Sequence, residues 1–306
     1  MAVSCNLLVL LGPTASGKSD VALAVARRTG AEILSLDSMQ VYRGMDIGTA
    51  KPASLEQSEV RHHLLDVVNP NETFTVARFV QAGDAVIADA AARRVPLIAT
   101  GGTPLYYKAL FEGLFTGPSA DHPMRDELSR LDGAELAARL QKVDPAAAGR
   151  IHMNDTRRLI RALEVYQLTG RPISSLQTDW GQSVPRHAAK WIGLDWDRDV
   201  LNRRINARVK RMIEAGWCEE VRSLMVRYGK LSDTASEATG YAELIAHLNG
   251  ALPLDQTIER IKMATRQLAR KQMKWFRRFP NVRWIAGDQP PEAIAEQIVN
   301  AVGKPG

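Results

Sequence analysis

The sequence predicts an α/β protein built on a parallel sheet, and three observations lead to that fold class. The first is a strand–loop–helix–strand opening, in which apolar segments at 6–11 and 32–36 flank a helical segment at 20–28. The second is the alternation of apolar runs with helical stretches further along the chain. The third is the composition, because 306 residues with 45% hydrophobic side chains are ample for a buried core.

The later elements follow from the same local patterns. Apolar runs predict further strands at 63–67, 95–100, 190–195 and 282–285, and helical periodicity predicts helices at 76–92 and 105–112. The pattern is mostly helical between residue 121 and the strand at 190, and again from 200 to about 249. We therefore expect a single catalytic core over residues 1–306, interrupted by helical insertions at roughly 116–149 and 198–256.

Composition restricts the compartment and the class of protein. Apolar runs such as 7–11 and 95–99 are far shorter than the roughly 20 residues that cross a bilayer. No signal peptide is evident, so we expect a cytoplasmic protein with no membrane partner. The two cysteines, Cys5 and Cys218, lack the spacing of a disulfide framework or a zinc site, which fits a reducing compartment.

Basic residues outnumber acidic ones, 40 against 34, and they concentrate in three segments. The segment 257–283 carries nine Lys and Arg against one glutamate, with Trp275, Phe276 and Phe279 interleaved; the others lie at 198–211 and 150–161. One such cluster is equally well explained as a solvated helix face. Three clusters with interleaved aromatic residues favour a polyanionic partner such as a nucleic acid.

The strongest local motif is the phosphate loop Gly12-Pro13-Thr14-Ala15-Ser16-Gly17-Lys18-Ser19, which matches GxxxxGK[ST] between an apolar strand and a helix. In such a loop the backbone N–H groups form an anion nest, and the helix N-terminus adds a favourable dipole. Lys18 supplies positive charge, and the Ser19 hydroxyl can bind magnesium. The motif predicts a P-loop NTPase-like sheet core and a phosphate-bearing ligand, without defining a reaction.

Two further segments follow strand ends. Asp37 comes directly after the second strand and Thr100–Thr103 after the strand at 95–99, and the carboxyl ends of parallel strands meet where ligands bind. Asp37 can accept a proton or hold magnesium through water, while an N-cap or Asx turn is the competing structural interpretation. His62 and His63 lack ligand spacing, so we interpret them as structural or surface residues.

The stretch DSMQVYRGMDIGTAKP at 37–52, taken with the phosphate loop, closely resembles the tRNA dimethylallyltransferases. Similar segments run along nearly the whole chain, at 63–66, 101–106, 150–155, 161–165, 240–241 and 264–275. The resemblance implies transfer of a dimethylallyl group from dimethylallyl diphosphate to the exocyclic amine of the adenosine immediately 3′ of the tRNA anticodon. No paired-cysteine, paired-histidine extension is present, so we expect the bacterial type.

The resemblance also implies residue roles. The phosphate loop would hold the departing diphosphate, with magnesium as cofactor on Ser19, and the predicted catalytic residues are Asp37, Thr103 and Arg208. Predicted tRNA contacts are Asp37, Ser38, Met39, Gln40, Thr103, Arg125, Arg157, Arg158, Arg161, Gly240, Tyr241, Arg270, Lys271, Gln272, Lys274, Trp275 and Arg277. The expected partners are dimethylallyl diphosphate and the anticodon stem-loop of tRNA, bound by a monomer.

Two positions depart from the pattern, and three other functions compete. Pro104 stands where the family often has Gly or Met, and Ala242 replaces an expected basic tRNA contact. The alternatives are an adenylate isopentenyltransferase acting on free nucleotides, a P-loop kinase in which Asp37 deprotonates a hydroxyl, and a non-catalytic RNA-binding protein. The basic clusters argue against the first of these. The Asp37–Pro52 stretch argues against the second, and the phosphate loop with Asp37 against the third.

Overall fold

The computed structural model describes residues 7–113, 117–118, 120–176 and 185–302, so the prediction for Cys5 lies outside the described residues. The chain divides into two compact units: an α/β unit of Met1–Leu110 with His187–Gly306, and a helical unit of Phe111–Arg186. The helical unit is longer than the predicted insertion at 116–149, because its helices continue to residue 176. The second predicted insertion, 198–256, folds as helices within the α/β unit.

Within the described residues the sheet has six parallel strands. They are β1 (Leu7–Leu11), β2 (Glu32–Ser35), β3 (His62–His63), β4 (Leu97–Thr100), β5 (Lys190–Asp195) and β6 (Arg283–Ala286), in the order β3-β2-β4-β1-β5-β6. This topology confirms the predicted α/β class. Because β2, β4 and β1 are neighbours and run in the same direction, the loops that follow them lie at one edge of the sheet.

Helices of the α/β unit complete its layers. They are α1 (Lys18–Thr29), α2 (Ser54–Glu59), α3 (Val76–Arg93), α4 (Pro104–Phe111), α10 (Arg198–Glu214), α11 (Trp217–Tyr228), α12 (Asp233–Ser236), α13 (Tyr241–Leu248), α14 (Leu254–Phe276) and α15 (Pro291–Val302). Helices α1 and α15 pack on the sheet through a core that includes Val21, Ile294 and Ile298. Strand β1 is buried along its whole length, so the phosphate loop follows directly after a fully buried strand.

The predicted strand at 63–67 is wrong beyond its first residue. Strand β3 ends at His63, and the next residues turn away from the sheet, with Leu64 at φ +62° and Asp66 at φ +53°. These left-handed conformations are incompatible with a continuing strand. The His63 Nε2 instead donates a 2.7 Å hydrogen bond to the Glu32 carboxylate of the neighbouring strand, which gives His63 the structural role expected of it.

The helical unit contains α5 (His122–Leu128), α6 (Gly133–Val143), α7 (Pro145–Ala148), α8 (Thr156–Thr169) and α9 (Ile173–Leu176). Its apolar core is formed by residues such as Leu136, Leu140 and Leu159. Most helices here begin at an aspartate cap; the Asp144 carboxylate, for example, accepts a 2.9 Å bond from the Ala147 N–H. Across the described part of the chain, no helix is both long and apolar enough to cross a membrane.

Candidate active site

A cavity of about 920 Å³ lies in the α/β unit, at the loops that follow β1, β2 and β4. Its walls include residues from five separated segments of the chain: Thr14 and Lys18, Asp37, Thr103, Arg208 and Gln272. The fold thus brings the phosphate loop and all three predicted catalytic residues to one site. The positions follow from the parallel topology, which directs these loops to the same edge.

The phosphate loop is held through its backbone carbonyls. Ala15 has a left-handed φ of +64°, which is uncommon for a residue with a Cβ. The Arg204 Nε donates a 2.9 Å hydrogen bond to the Ala15 carbonyl, and the Trp196 Nε1 donates a 3.0 Å bond to the Ser16 carbonyl. The guanidinium of Arg204 also stacks 4.3 Å from the Trp196 ring centre. Helix α10 and the end of β5 therefore fix the shape of the loop.

Two cations face the cavity beside this loop. Burial, together with the positive charge of Arg208, lowers the pKa of Lys18 to about 8. Burial also lowers the pKa of the Arg208 guanidinium, although the Asp37 carboxylate opposes that change. Among the described residues neither cation has an ion-pair partner. Two partly desolvated positive charges next to an N–H nest favour a multiply charged anion at this place.

Asp37 is fixed by two backbone donors. Its Oδ1 accepts a 2.9 Å bond from the Met39 N–H, and its Oδ2 accepts a 3.2 Å bond from the Gly102 N–H. The Asx-turn interpretation is therefore correct for the local geometry, and the carboxylate lines the cavity as well. A Cβ at Gly102 would lie 2.8 Å from Oδ2, so this close approach requires glycine. Each carboxylate oxygen has two acceptor positions, and one on each remains for a ligand proton.

Thr103 connects the loop after β4 to the loop after β2. Its Oγ1 accepts a 2.9 Å bond from the Ser38 N–H and donates a 3.0 Å bond to the Ser38 Oγ. Gln40 is built into the same loop, because its Oε1 accepts a 2.9 Å bond from the Ser35 Oγ. Together with Asp37 and Met39, these residues form one continuous wall of the cavity.

Gln272 of α14 is 3% exposed and bridges two loops of the site. Its Oε1 accepts a 2.8 Å bond from the Thr14 N–H, and its Nε2 donates a 2.6 Å bond to the Gly102 carbonyl. Gln272 is one of the predicted tRNA contacts. Its amide is turned inward, where both ends are hydrogen-bonded within the protein.

A family model described as IPP transferase matches residues 40–279. The chain belongs to the IPP transferase family. It is 46% identical to the tRNA dimethylallyltransferase of Symbiobacterium thermophilum, over 97% of this chain and 94% of that one. It is 45% identical to the enzyme of the same name from Geobacter metallireducens, over 92% of each chain.

Solved structures give the same family. The full-length tRNA isopentenylpyrophosphate transferase of Bacillus halodurans superposes with a TM-score of 0.73 at 37% identity, over 97% of this chain and 95% of that chain. A eukaryotic dimethylallyltransferase acting on tRNA gives a TM-score of 0.83 at 26% identity, over 97% of this chain and 78% of its own. The IPP transferase fold is therefore shared along nearly the whole chain.

Glu220 of α11 is a site residue that sequence reasoning missed in this IPP transferase. Its carboxylate accepts hydrogen bonds from three successive N–H groups, those of Asp46, Ile47 and Gly48, at 2.9, 2.6 and 3.2 Å. No motif indicates this role, because a glutamate on a helix resembles any surface residue. Glu220 thereby fixes the middle of the family's most specific segment.

The predicted contacts Gly240 and Tyr241 lie beside Glu220. The Tyr241 ring is fully buried, and its hydroxyl donates a 2.7 Å bond to the Glu220 carboxylate. Trp217 packs so closely against Gly48 that a Cβ there would lie 2.2 Å from its Nε1. The Tyr241 side chain thus holds the loop from inside the protein. Ala242, one of the two departures, is exposed at the start of α13.

The basic residues at the end of α14 are exposed, but they differ in their contacts within the protein. Arg270, Lys271, Lys274 and Arg277 are all exposed. Arg277 also pairs with Asp195 at 2.6 Å and stacks 4.1 Å from the Trp284 ring centre. Trp275 is half-buried and Phe276 fully buried, so Phe276 belongs to the core.

In the helical unit, two predicted tRNA contacts are bound to the buried Glu164. Arg125 forms two hydrogen bonds with this carboxylate, at 2.8 and 2.9 Å, and Arg161 forms a third at 2.5 Å. Burial opposes ionisation of Glu164, but these bonds outweigh it and lower the pKa of the carboxyl. The structure therefore gives Arg125 and Arg161 a structural partner, while Arg157 and Arg158 are exposed.

The cavity presents two oxygen donors suited to magnesium. Ser19, at the N-terminus of α1, and Asp37 both line it. Over the described residues, no group of three or more His, Cys, Asp or Glu side chains is arranged to hold a metal. Magnesium with phosphate ligands commonly uses only one or two protein ligands besides substrate oxygens and water. The hydroxyl and carboxylate present here fit that donor set.

Proposed function

We propose that this chain transfers the dimethylallyl group of dimethylallyl diphosphate to the exocyclic amine of the adenosine 3′-adjacent to the tRNA anticodon, with release of diphosphate. The observation that carries the proposal is one cavity with a phosphate loop and a backbone-held carboxylate, Asp37, on its walls. Membership of the IPP transferase family and relatives named tRNA dimethylallyltransferase support it.

Diphosphate departure is the step that the phosphate loop serves. As the bond between the allylic carbon and the diphosphate oxygen breaks, negative charge accumulates on the leaving group. The backbone N–H groups of the loop, Lys18 and Arg208 stabilise that charge at fixed positions. Magnesium, held by Ser19, supplies further positive charge to the diphosphate oxygens when it is bound. These groups need not reorganise during the reaction, because the loop is fixed by Arg204 and Trp196.

Asp37 acts on the acceptor substrate, the adenine base. The exocyclic amine of adenine is a weak nucleophile because its lone pair is delocalised into the ring. Asp37 takes a proton from that amine as the new carbon–nitrogen bond forms, using an acceptor position left free by the Met39 and Gly102 N–H groups. Holding both substrates in line in one cavity avoids a large entropic cost.

The position of the target base in the anticodon loop determines how it reaches the cavity. A base that stacks in a loop has to be extruded before its amine reaches a cavity, at a cost of a few kcal/mol. Exposed cations of α14, namely Arg270, Lys271 and Lys274, attract the RNA backbone. The cavity is formed by one unit of one chain, so the proposal needs only a monomer, acting on tRNA in the cytoplasm.

The test is a transfer assay with alternative acceptors. Purified protein, magnesium and labelled dimethylallyl diphosphate are incubated in parallel with unmodified tRNA or with free adenosine nucleotides, and the label is located by mass spectrometry. We expect label on the nucleotide 3′ of the anticodon. Label on free nucleotides alone contradicts the proposal in favour of an adenylate isopentenyltransferase. Absence of label with both acceptors, together with consumption of a nucleoside triphosphate, supports a kinase instead.

A further inference from the structure

A buried amide lies between the two functional loops of the cavity. The Gln272 carboxamide reaches them from α14, a helix that belongs to neither loop. Its Oε1 faces the Thr14 N–H at 2.8 Å and its Nε2 faces the Gly102 carbonyl at 2.6 Å. The orientation of the amide is fixed by this surrounding, because the reversed amide would place donor against donor and acceptor against acceptor.

Gly102 connects the Gln272 amide to the Asp37 carboxylate. The Gly102 peptide accepts from Gln272 through its carbonyl, and its N–H donates to the Asp37 Oδ2 at 3.2 Å. A continuous path of three hydrogen bonds therefore joins the phosphate loop at Thr14 to the side chain of Asp37. The path runs through one side chain, and that side chain is 3% exposed.

We propose that Gln272 is a positioning residue that sets the spacing between the diphosphate-binding loop and the Asp37 carboxylate. The inference rests on the proposed function, in which the leaving group binds one loop and the proton acceptor stands on the other. A displacement of about 1 Å between reacting groups can cost about 100-fold in rate. A single amide that is bonded to both loops limits that displacement.

Two substitutions of similar length test the role. Gln272→Met fills the same space without either hydrogen bond, and we expect kcat at saturating substrates to fall about 100-fold. Binding of inorganic diphosphate should weaken by up to about tenfold, because the Thr14 N–H loses its partner. Affinity for tRNA should stay within about twofold of wild type, since the side chain is buried.

Gln272→Glu adds a readout that a purely structural role would not change. The ionised carboxylate accepts from Thr14 but repels the Gly102 carbonyl, whereas a protonated carboxyl donates to that carbonyl as the amide does. The ratio of variant to wild-type kcat should therefore rise as the pH falls. For Gln272→Met the same ratio should stay constant with pH.

Thr257→Val is the matched control. Thr257 is buried on the same helix, and its Oγ1 donates a 2.9 Å bond to the Pro253 carbonyl at the far end of α14. We expect this variant to lower the melting temperature while leaving kcat within about twofold of wild type. A fall of kcat in Thr257→Val equal to that in Gln272→Met overturns the positioning role, since loss of helix stability would then explain both.

Further results also overturn the inference. A Gln272→Met enzyme with wild-type kcat and diphosphate affinity excludes a positioning role, and one that only weakens tRNA binding makes Gln272 a direct tRNA contact. If Gln272→Met does not fold, the pH trend of Gln272→Glu decides the question. If the wild-type protein transfers no prenyl group, the proposed function fails, while diphosphate binding still reports whether Gln272 holds the phosphate loop.

Discussion

Two groups of charged residues, the cavity cations of the α/β unit and the Glu164 cluster of the helical unit, are balanced in opposite ways. In the α/β unit, Lys18 and Arg208 line a cavity and have no ion-pair partner among the described residues. In the helical unit, Glu164 is buried and is neutralised by Arg125 and Arg161. A cation whose partner belongs to the chain stabilises the fold, whereas cations without such a partner favour a ligand. In the sequence alone these arginines are equivalent.

The largest test of the α/β unit is Asp37→Asn. The amide keeps an acceptor oxygen for the Met39 N–H, so the turn should persist while the proton acceptor is lost. We expect kcat to fall about 1000-fold and tRNA affinity to remain unchanged. Turnover is measured with labelled dimethylallyl diphosphate and affinity by filter binding. Undiminished turnover would remove Asp37 from the role of general base.

The affinity of the cavity for diphosphate should depend on pH through the charge of Lys18. Because burial and Arg208 lower its pKa to about 8, the amine is protonated below that pH and loses its charge as the pH rises through it. Calorimetry should show diphosphate affinity falling between about pH 7 and 9. Lys18→Arg keeps its charge across this range, so its affinity should fall less. An identical pH dependence in both proteins would refute the assignment to Lys18.

Lys18→Met should show the size of the charge effect. We expect about 100-fold weaker diphosphate binding at neutral pH, since one charge-assisted contact to a phosphate is lost. A similar affinity in Lys18→Met and wild type would mean that the N–H nest alone binds the anion.

Glu164→Gln tests whether the ion pairs of Glu164 stabilise the helical unit. Its two arginine partners keep 38% and 31% of their side chains exposed, so they can regain water, and we expect a loss of about 2 kcal/mol in the free energy of unfolding. The lowered pKa of Glu164 means that its stabilisation is present above the ordinary pKa of about 4.3 and is lost as the pH falls below it. Urea unfolding at neutral and acidic pH should show the deficit shrinking in acid. A deficit that does not depend on pH would contradict an electrostatic cause.

The smallest effects on tRNA binding are expected for two basic residues at the end of α14, Lys274 and Arg277. Lys274→Ala should weaken tRNA binding a few-fold and reduce the slope of log Kd against log salt by about 1. Arg277→Ala should change that slope less, because Arg277 is paired with Asp195 and stacked on Trp284, but it should lower the melting temperature. Equal salt slopes for the two variants would mean that the ion pair with Asp195 does not withhold Arg277 from RNA.

Local pattern predicted the sheet well, and it predicted segments that the fold brings to one cavity. The phosphate loop and Asp37 each depend on a few consecutive residues after a strand, and the predicted strand at 190–195 coincides with β5. The strand predicted at 63–67 failed because an apolar run does not encode φ, and Leu64 leaves the sheet at φ +62°. Backbone turns of this kind depend on tertiary contacts that no short window contains.

Long-range contacts explain what sequence reasoning missed. Gln272 and Thr14, which it binds, are 258 positions apart, so nothing near either residue predicts the bridge. Glu220 reaches Ile47 across 173 positions. A resemblance in sequence indicated that these segments matter, but only their packing shows that Gln272 and Tyr241 face inward.

The carboxylate of Glu220 has a consequence for the order of events on the enzyme. It accepts hydrogen bonds from three backbone N–H groups at Asp46–Gly48, and so helix α11 supplies the acceptor that holds the middle of the Asp37–Pro52 segment. The conformational entropy of this part of the chain is lost during folding, before any RNA binds. Under the proposed function, the binding energy of the RNA is then available for extrusion of the base instead of for ordering the protein.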